Sequence, residues 1–192
     1  GKKFIEPNSV IIDAGANYGQ MSILFSKIQP QCIVHSFEAS KFIYKILKKN
    51  VELNAKNIIT YNCALSDKND EKYLAEPDLS KSGTYGALNI KIDNNSNNFS
   101  QKIEFKKIDD FVFKKKVSLM KIDVQGWDLK VLYGSIETIK RNRMPIIFEY
   151  EIIFEKEMKY KFEDFVNFFK ELNYSFETVV DNNFLVVPKE LK

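Results

Sequence analysis

A chain of 192 residues with 44% apolar content can bury one sizeable core and leaves little room for a second domain. The net charge is only +3, and of 29 basic residues only Arg141 and Arg143 are arginine, so nucleic acid is an unexpected partner. No apolar run approaches the roughly 20 residues of a membrane helix and no signal-peptide pattern is present, which predicts a cytoplasmic protein with no membrane span. Cys32 and Cys63 lie in separate apolar stretches, and reduced, buried thiols are expected rather than a disulfide.

Val10-Ile11-Ile12 is a short β-branched run that Asp13 and a glycine turn end, the pattern of a buried strand. Gln20 to Ile28 reads as a helix stopped near Pro30, Cys32 to Phe37 as a second strand, and Lys41 to Asn54 as a helix with Phe42, Ile43, Ile46, Leu47 and Val51 on one stripe. Ile58 to Tyr61 is a third strand. This rhythm predicts parallel βαβ units with right-handed crossovers. Glu71 to Leu74 and Ile103 to Lys107 read as strands flanking a polar loop that holds Gly83, Tyr85, Gly86 and the run Asp93 to Asn98. That loop is either an acceptor lid or slack, and Tyr85 either a lid residue or a plain loop residue.

Further on, Leu119 to Val124 is a strand, Asp128 to about Lys140 a helix, and Pro145 to Tyr150 the next strand. Lys161 to Leu172 is a helix whose phenylalanines face the core. Tyr174 to Val180 and Phe184 to Val187 form an antiparallel pair joined through Asp181-Asn182-Asn183. No repeat or linker interrupts residues 1–192, which read as one α/β domain. The opening Gly-Lys-Lys, without methionine, is expected of a domain cut from something longer.

Glycine is scarce, 7 residues in all, so each position is informative. In Asp13-Ala14-Gly15-Ala16-Asn17-Tyr18-Gly19, Gly15 permits a tight turn at the carboxyl end of the first strand and Gly19 a close helix contact. Asn17 stands where a dinucleotide fingerprint wants its second glycine, which argues against a nicotinamide cofactor. The spacing fits the D-x-G-x-x-x-G turn of methyltransferases that use S-adenosylmethionine. Glu38, ending the second strand, can accept hydrogen bonds from both ribose hydroxyls.

With these residues assembled, the chain resembles the FkbM family of methyltransferases. Val10 to Gly19 resembles the family's opening motif, with Ser22 at its usual serine. Val34-His35-Ser36-Phe37-Glu38 resembles its second strand, residues 47–54 its next helix, and Asn62-Cys63-Ala64-Leu65-Ser66 the segment flanking adenine. Leu119 to Asp128, with Val131-Leu132-Tyr133-Gly134 after it, resembles the family's K-x-D-x-E-G-x-E and V-L-x-G, and departs twice: Gln125 replaces the first glutamate and Asp128 the second. Pro145 to Glu149 resembles the last block. The resemblance implies a Rossmann-like seven-stranded class I methyltransferase sheet, mostly parallel with one reversed strand near the carboxyl terminus and helices on both faces. It implies S-adenosyl-L-methionine bound by Asp13, Gly15, Ala16, Asn17, Tyr18, Gly19, Ser22, Glu38, Ala39, Ala64 and Asp123. It also implies O-methylation, most plausibly of a sugar or glycan hydroxyl, and glycosyltransferase domains as covalent neighbours. A methyltransferase of another small molecule or of RNA ribose, and a degenerate cofactor-binding module, are the alternatives. Gln125 is the feature that keeps the last one open.

A sugar hydroxyl is a poor nucleophile until its proton leaves, so a base or a cation is needed beside it. Asp123 and Glu149 end neighbouring strands, and Lys121 points to the same face as Asp123. Asp123 can be the base with Glu149 orienting the acceptor, or the two can share a divalent metal, or all three can form a charge network at the strand ends. His35, inside a strand, reads as a satisfied core histidine. Trp127 either stacks on a sugar or seals a helix against the sheet.

Overall fold

In the computed structural model, residues 4–74 and 101–191 are described. The elements follow as β1 (Val10–Ala14), α1 (Gln20–Ile28), β2 (Ile33–Phe37), α2 (Lys41–Asn54), β3 (Ile58–Tyr61), β4 (Ala64–Leu65), β5 (Asp70–Leu74), β6 (Gln101–Lys106), β7 (Val117–Ile122), α3 (Asp128–Tyr133), α4 (Ile136–Asn142), β8 (Ile146–Glu149), α5 (Glu155–Met158), α6 (Phe162–Glu171), β9 (Tyr174–Val180) and β10 (Asn183–Pro188). Seven strands form one sheet in the order β3-β2-β1-β7-β8-β10-β9. The pairs from β3 through β8 are parallel, and β10 runs antiparallel to both its neighbours. The expected single reversed strand is therefore β10, and it sits one place in from the edge.

Every residue of β1 and β7 is buried, which is why both read as unbroken apolar runs rather than alternating ones. Alternate side chains serve opposite faces. Val10, Ile12 and Ala14 join Met120, Ile122, Ile146 and Phe148 in the larger core, against Leu129 and Val131 of α3, Ile139 of α4 and Phe165 and Phe169 of α6. Ile11, Val34 and Leu119 face the other way, onto Phe25 of α1. Helices thus cover both faces.

The predicted helix over Asp128–Lys140 is two helices. Gly134 lies so close to the Ser66 carbonyl that a Cβ there would stand 2.0 Å from its oxygen. Asp109 then starts α4 afresh, accepting from the Glu137 and Thr138 backbone N–H groups at 3.0 and 2.8 Å. The strands expected at 71–74 and 103–107 are β5 and β6, which lie outside the main sheet and form a small one, β4-β6-β5, with the unanticipated β4. Gly83, Tyr85, Gly86 and Asp93 to Asn98 lie outside the described residues. Cys32 and Cys63 are both buried and free.

Candidate active site

Register assembles the polar floor of the site. Ser36 of β2, Asp13 of β1 and Lys121 of β7 are successive cross-strand partners, so their side chains stand in a row. Ser36 donates to Ser22 Oγ at 2.8 Å and Ser22 to Asp13 Oδ2 at 2.5 Å. The Lys121 ammonium lies 3.4 Å from Asp13 Oδ1 and 3.3 Å from Asp123 Oδ2, and donates to the Gly15 carbonyl at 3.3 Å. Asp13 and Ser22 are fully buried, so they support the glycine turn from beneath and do not open into the cleft. A buried lysine between two carboxylates keeps its charge: both partners hold its proton affinity above the ordinary value although burial opposes them.

The turn rides on this floor. A Cβ on Gly15 would stand 1.8 Å from the Asp123 carbonyl oxygen, and its φ of +77° is left-handed, so no other residue fits. The Gly15 and Ala16 N–H groups both donate to the Phe37 carbonyl, and Ala16 turns inward onto Leu47 and Val51. Gly19 has a left-handed φ of +88° that disfavours any side chain, with Leu47 of α2 packed against it, and Asn50 donates to the Tyr18 carbonyl at 2.8 Å. Asn17 also adopts left-handed φ, and its side-chain oxygen is buried without a hydrogen-bond partner.

Glu38, just beyond β2, accepts from the Asn17 N–H at 3.0 Å and the Ser40 N–H at 2.8 Å, which clamps its carboxyl group against the turn. Burial nevertheless pushes its proton affinity up to about 7. Ala39 and the buried Ala64 line the adjoining wall, which Asn62 ties down by donating to the Glu38 and Ala39 carbonyls.

Asp123 stands just beyond β7 and Glu149 ends β8, and their carboxyl groups share a hydrogen bond. Burial first, then the Asp123 charge and that hydrogen bond, push Glu149 up to about 8. The chain after Asp123 turns through Gln125 and Gly126, at φ of 52° and 88°. Asp128, fully buried, accepts from the Gly126 N–H at 3.2 Å, and its other oxygen has no partner. Burial and the neighbouring Asp123 raise it to about 7. Sequence reasoning treated Asp128 only as a departure and missed Ser36. The signal for Ser36 was the strand alternation that sets it beside Asp13.

Two other expectations resolve here. His35 is buried, hydrogen-bonded to the Tyr61 hydroxyl at 2.9 Å and packed edge-on against Phe113, and burial lowers it to about 4. It is a core histidine. Trp127 is buried against Phe105, with the Lys130 ammonium 4.0 Å from its ring centre, so it seals a helix. The divalent metal weighed for Asp123 and Glu149 finds no support, because among the described residues no group of three or more His, Cys, Asp or Glu side chains is placed to hold an ion. No described helix is long and apolar enough to cross a membrane.

The family described as the methyltransferase FkbM domain matches residues 13–176, from the buried Asp13 to the middle of β9. The chain belongs to the FkbM methyltransferase family. It is similar to methyltransferase 1 of Beauveria bassiana (strain ARSEF 2860), 25% identical over 145 residues that cover 66% of this chain and 58% of that protein. It is also similar to methyltransferase sdnD of Sordaria araneosa, 24% identical over 166 residues covering 66% and 60%. The FkbM chain thus spans about three-fifths of the length of the curated relatives it matches. Among solved structures, methyltransferase FkbM from Methylobacillus flagellatus KT superposes with a TM-score of 0.65 at 13% identity, over 95% of this chain and 44% of that one. An S-adenosylmethionine-dependent methyltransferase from Geobacter sulfurreducens, in complex with S-adenosyl-L-homocysteine, superposes at 0.52 and 12%, over 93% and 62%. At these identities the likeness is one of fold, that of the S-adenosylmethionine-dependent Rossmann-like methyltransferases.

Proposed function

We propose that this FkbM domain binds S-adenosylmethionine and methylates a hydroxyl oxygen, that of a sugar or glycan. The observation that carries the reading is Glu38, a carboxyl group clamped by two backbone N–H groups beside the glycine turn and in no ion pair among the described residues. Ribose hydroxyls are donors that such a carboxylate accepts, and the buried, unpartnered Asn17 oxygen beside it is a second acceptor. These residues fit the cofactor, with Ala39 and Ala64 as the apolar wall for its base. When bound, S-adenosylmethionine supplies a methyl group made electrophilic by its positive sulfur.

The acceptor hydroxyl needs a base, and the two carboxyl groups divide the work. Asp123 faces the Lys121 ammonium through one oxygen and the Gln125 amide through the other, so both its oxygens are already engaged. Glu149 is in no ion pair among the described residues, and burial and the Asp123 charge raise its proton affinity, so the reading makes it the proton acceptor and Asp123 its orienting partner. The Asp-Val-Gln-Gly stretch at 123–126 lacks the Pro-Pro-aromatic run expected of a nucleobase N-methyltransferase, which supports an oxygen acceptor.

Calorimetric titration with S-adenosylhomocysteine, with NAD as control, tests the cofactor. Micromolar binding of the nucleoside alone is expected, weakened by about 1–3 kcal/mol in Glu38→Ala. Equal affinity for NAD, or an unchanged Glu38→Ala, would overturn the assignment. Methyl transfer to neutral and acidic saccharides, compared with ribonucleosides, tests the acceptor. Turnover should rise with pH through about 8 as Glu149 ionises and be lost in Glu149→Gln with nucleoside affinity retained.

A further inference from the structure

The turn between β7 and α3 is built in an uncommon way. Gln125 is not glycine, yet it adopts φ of 52°, and Gly126 follows at 88°. Two hydrogen bonds hold it there: Asp128 accepts the Gly126 N–H at 3.2 Å and the Trp127 N–H donates to the Val124 carbonyl at 3.3 Å, while Phe154 packs so close that a Cβ on Gly126 would stand 2.7 Å from its ring. A turn maintained against its own backbone preference delivers something. It brings the Gln125 side chain back along the chain, so that Nε2 reaches Asp123 Oδ1 at 3.4 Å. Asp123 is thereby held at both oxygens, by Lys121 on one side and by Gln125 on the other, with Glu149 as its remaining carboxyl neighbour.

We propose that Gln125 is a positioning residue whose amide fixes Asp123 for its partnership with Glu149, and that Asp128 keeps the turn that delivers it. Among the residues at this end of the sheet the other charges are acidic save one. Asp13 of β1, Lys121 and Asp123 at β7, Glu149 and Glu151 at β8 and Asp128 of α3 are the titratable groups that bear on the pair. A carboxylate at 125 would add a further negative charge against Asp123, whereas an amide donates to it. Gln125 is then a working replacement for the glutamate of the motif, not a mark of decay. The inference concerns the Asp123–Glu149 pair and rests on the proposed role of that pair in methyl transfer only for its consequence in turnover.

The test reads the pair directly. Carboxyl carbon NMR of the purified chain follows the Glu149 titration in the parent, Gln125→Glu, Gln125→Ala and Asp128→Asn, each checked for folding by its amide spectrum. Gln125→Glu should move the Glu149 midpoint up by at least half a pH unit, Gln125→Ala should move it by a smaller step, and Asp128→Asn, whose amide oxygen still accepts from Gly126 but which removes a charge that raises Glu149, should lower it by a smaller step. An unmoved midpoint in Gln125→Glu overturns the proposal, as does a midpoint in Asp128→Asn that shifts as far as in Gln125→Glu. Should Gln125→Glu not fold, Gln125→Ala against the parent decides alone: a shifted midpoint supports the proposal and an unshifted one ends it. The same samples titrated with S-adenosylhomocysteine separate the two readings. Nucleoside binding with an unmoved Glu149 sinks this inference and spares the methyltransferase; a moved Glu149 without nucleoside binding does the reverse.

Discussion

Glu38 carries two opposing instructions. Two backbone N–H groups favour its charge, and burial disfavours it more, so it binds a proton up to about 7 instead of 4.5. Ribose hydroxyls at that carboxyl group would be donors and would favour the ionised form, so binding expels the proton wherever it is present. S-adenosylhomocysteine affinity should therefore rise with pH and level off above about 8, falling roughly tenfold for each unit below 7, the slope of one linked proton. Calorimetry in two buffers of different ionisation heat counts that proton. Glu38→Gln should bind more weakly at pH 8 and show no slope; a slope that survives in this variant would place the linked proton elsewhere. The residue was legible in sequence because a lone carboxylate at a strand end, in step with a glycine turn, has few other reasons to be there. Its raised proton affinity was not legible, since it depends on what covers the side chain.

At the scale of elements, the parallel strands announced themselves. A strand buried on both faces needs no alternation, and Val10-Ile11-Ile12 or Leu119 to Ile122 can be little else. Asp123 and Glu149 followed, because strand ends in such a sheet converge on one edge. What the chain hides is whatever one element does to a distant one. The break at Gly134 reads as continuous helix, since Leu129, Leu132, Ile136 and Ile139 keep one helical stripe across it. The Ser66 carbonyl that leaves room only for glycine and the Asp109 carboxylate that restarts α4 both come from far upstream. The two-residue β4 is too short to show a period at all. Asp109→Ala removes the only side-chain acceptor for the first α4 N–H groups among the described residues, and should cost about 1 kcal/mol by urea denaturation. Gly134→Ala should cost more, because its Cβ meets backbone that cannot step aside. If the alanine at 134 proves neutral, the junction between α3 and α4 is looser than its packing implies.

Over the whole molecule, the carboxyl groups gathered at the sheet's active edge set an unusual pH dependence. Glu38 and Asp128 hold protons to about 7 and Glu149 to about 8, whereas the same side chains in an unfolded chain release them near 4. Each folded pKa is raised, so each contributes stability that is complete below about 4 and lost as pH rises through 7 to 8. His35 acts in the opposite sense: burial lowers it to about 4, and its contribution is lost as pH falls from 6.5 toward that value. Between 4 and 6.5 the histidine offsets part of the carboxyl effect, and above 6.5 nothing in this set does. The thermal midpoint should accordingly fall between pH 6.5 and 8.5, in the interval where turnover is expected to rise. Asp128→Asn isolates one contributor, since its amide still accepts from Gly126 and carries no charge to desolvate. It should flatten the decline and exceed the parent in midpoint at pH 8.5 while differing little at pH 5. A parent midpoint that climbs between 6.5 and 8.5, or an asparagine variant that tracks the parent throughout, would mean that these carboxyl groups find counter-charge or water on ionising. The link between the acidic cluster and the fold's stability would then fail.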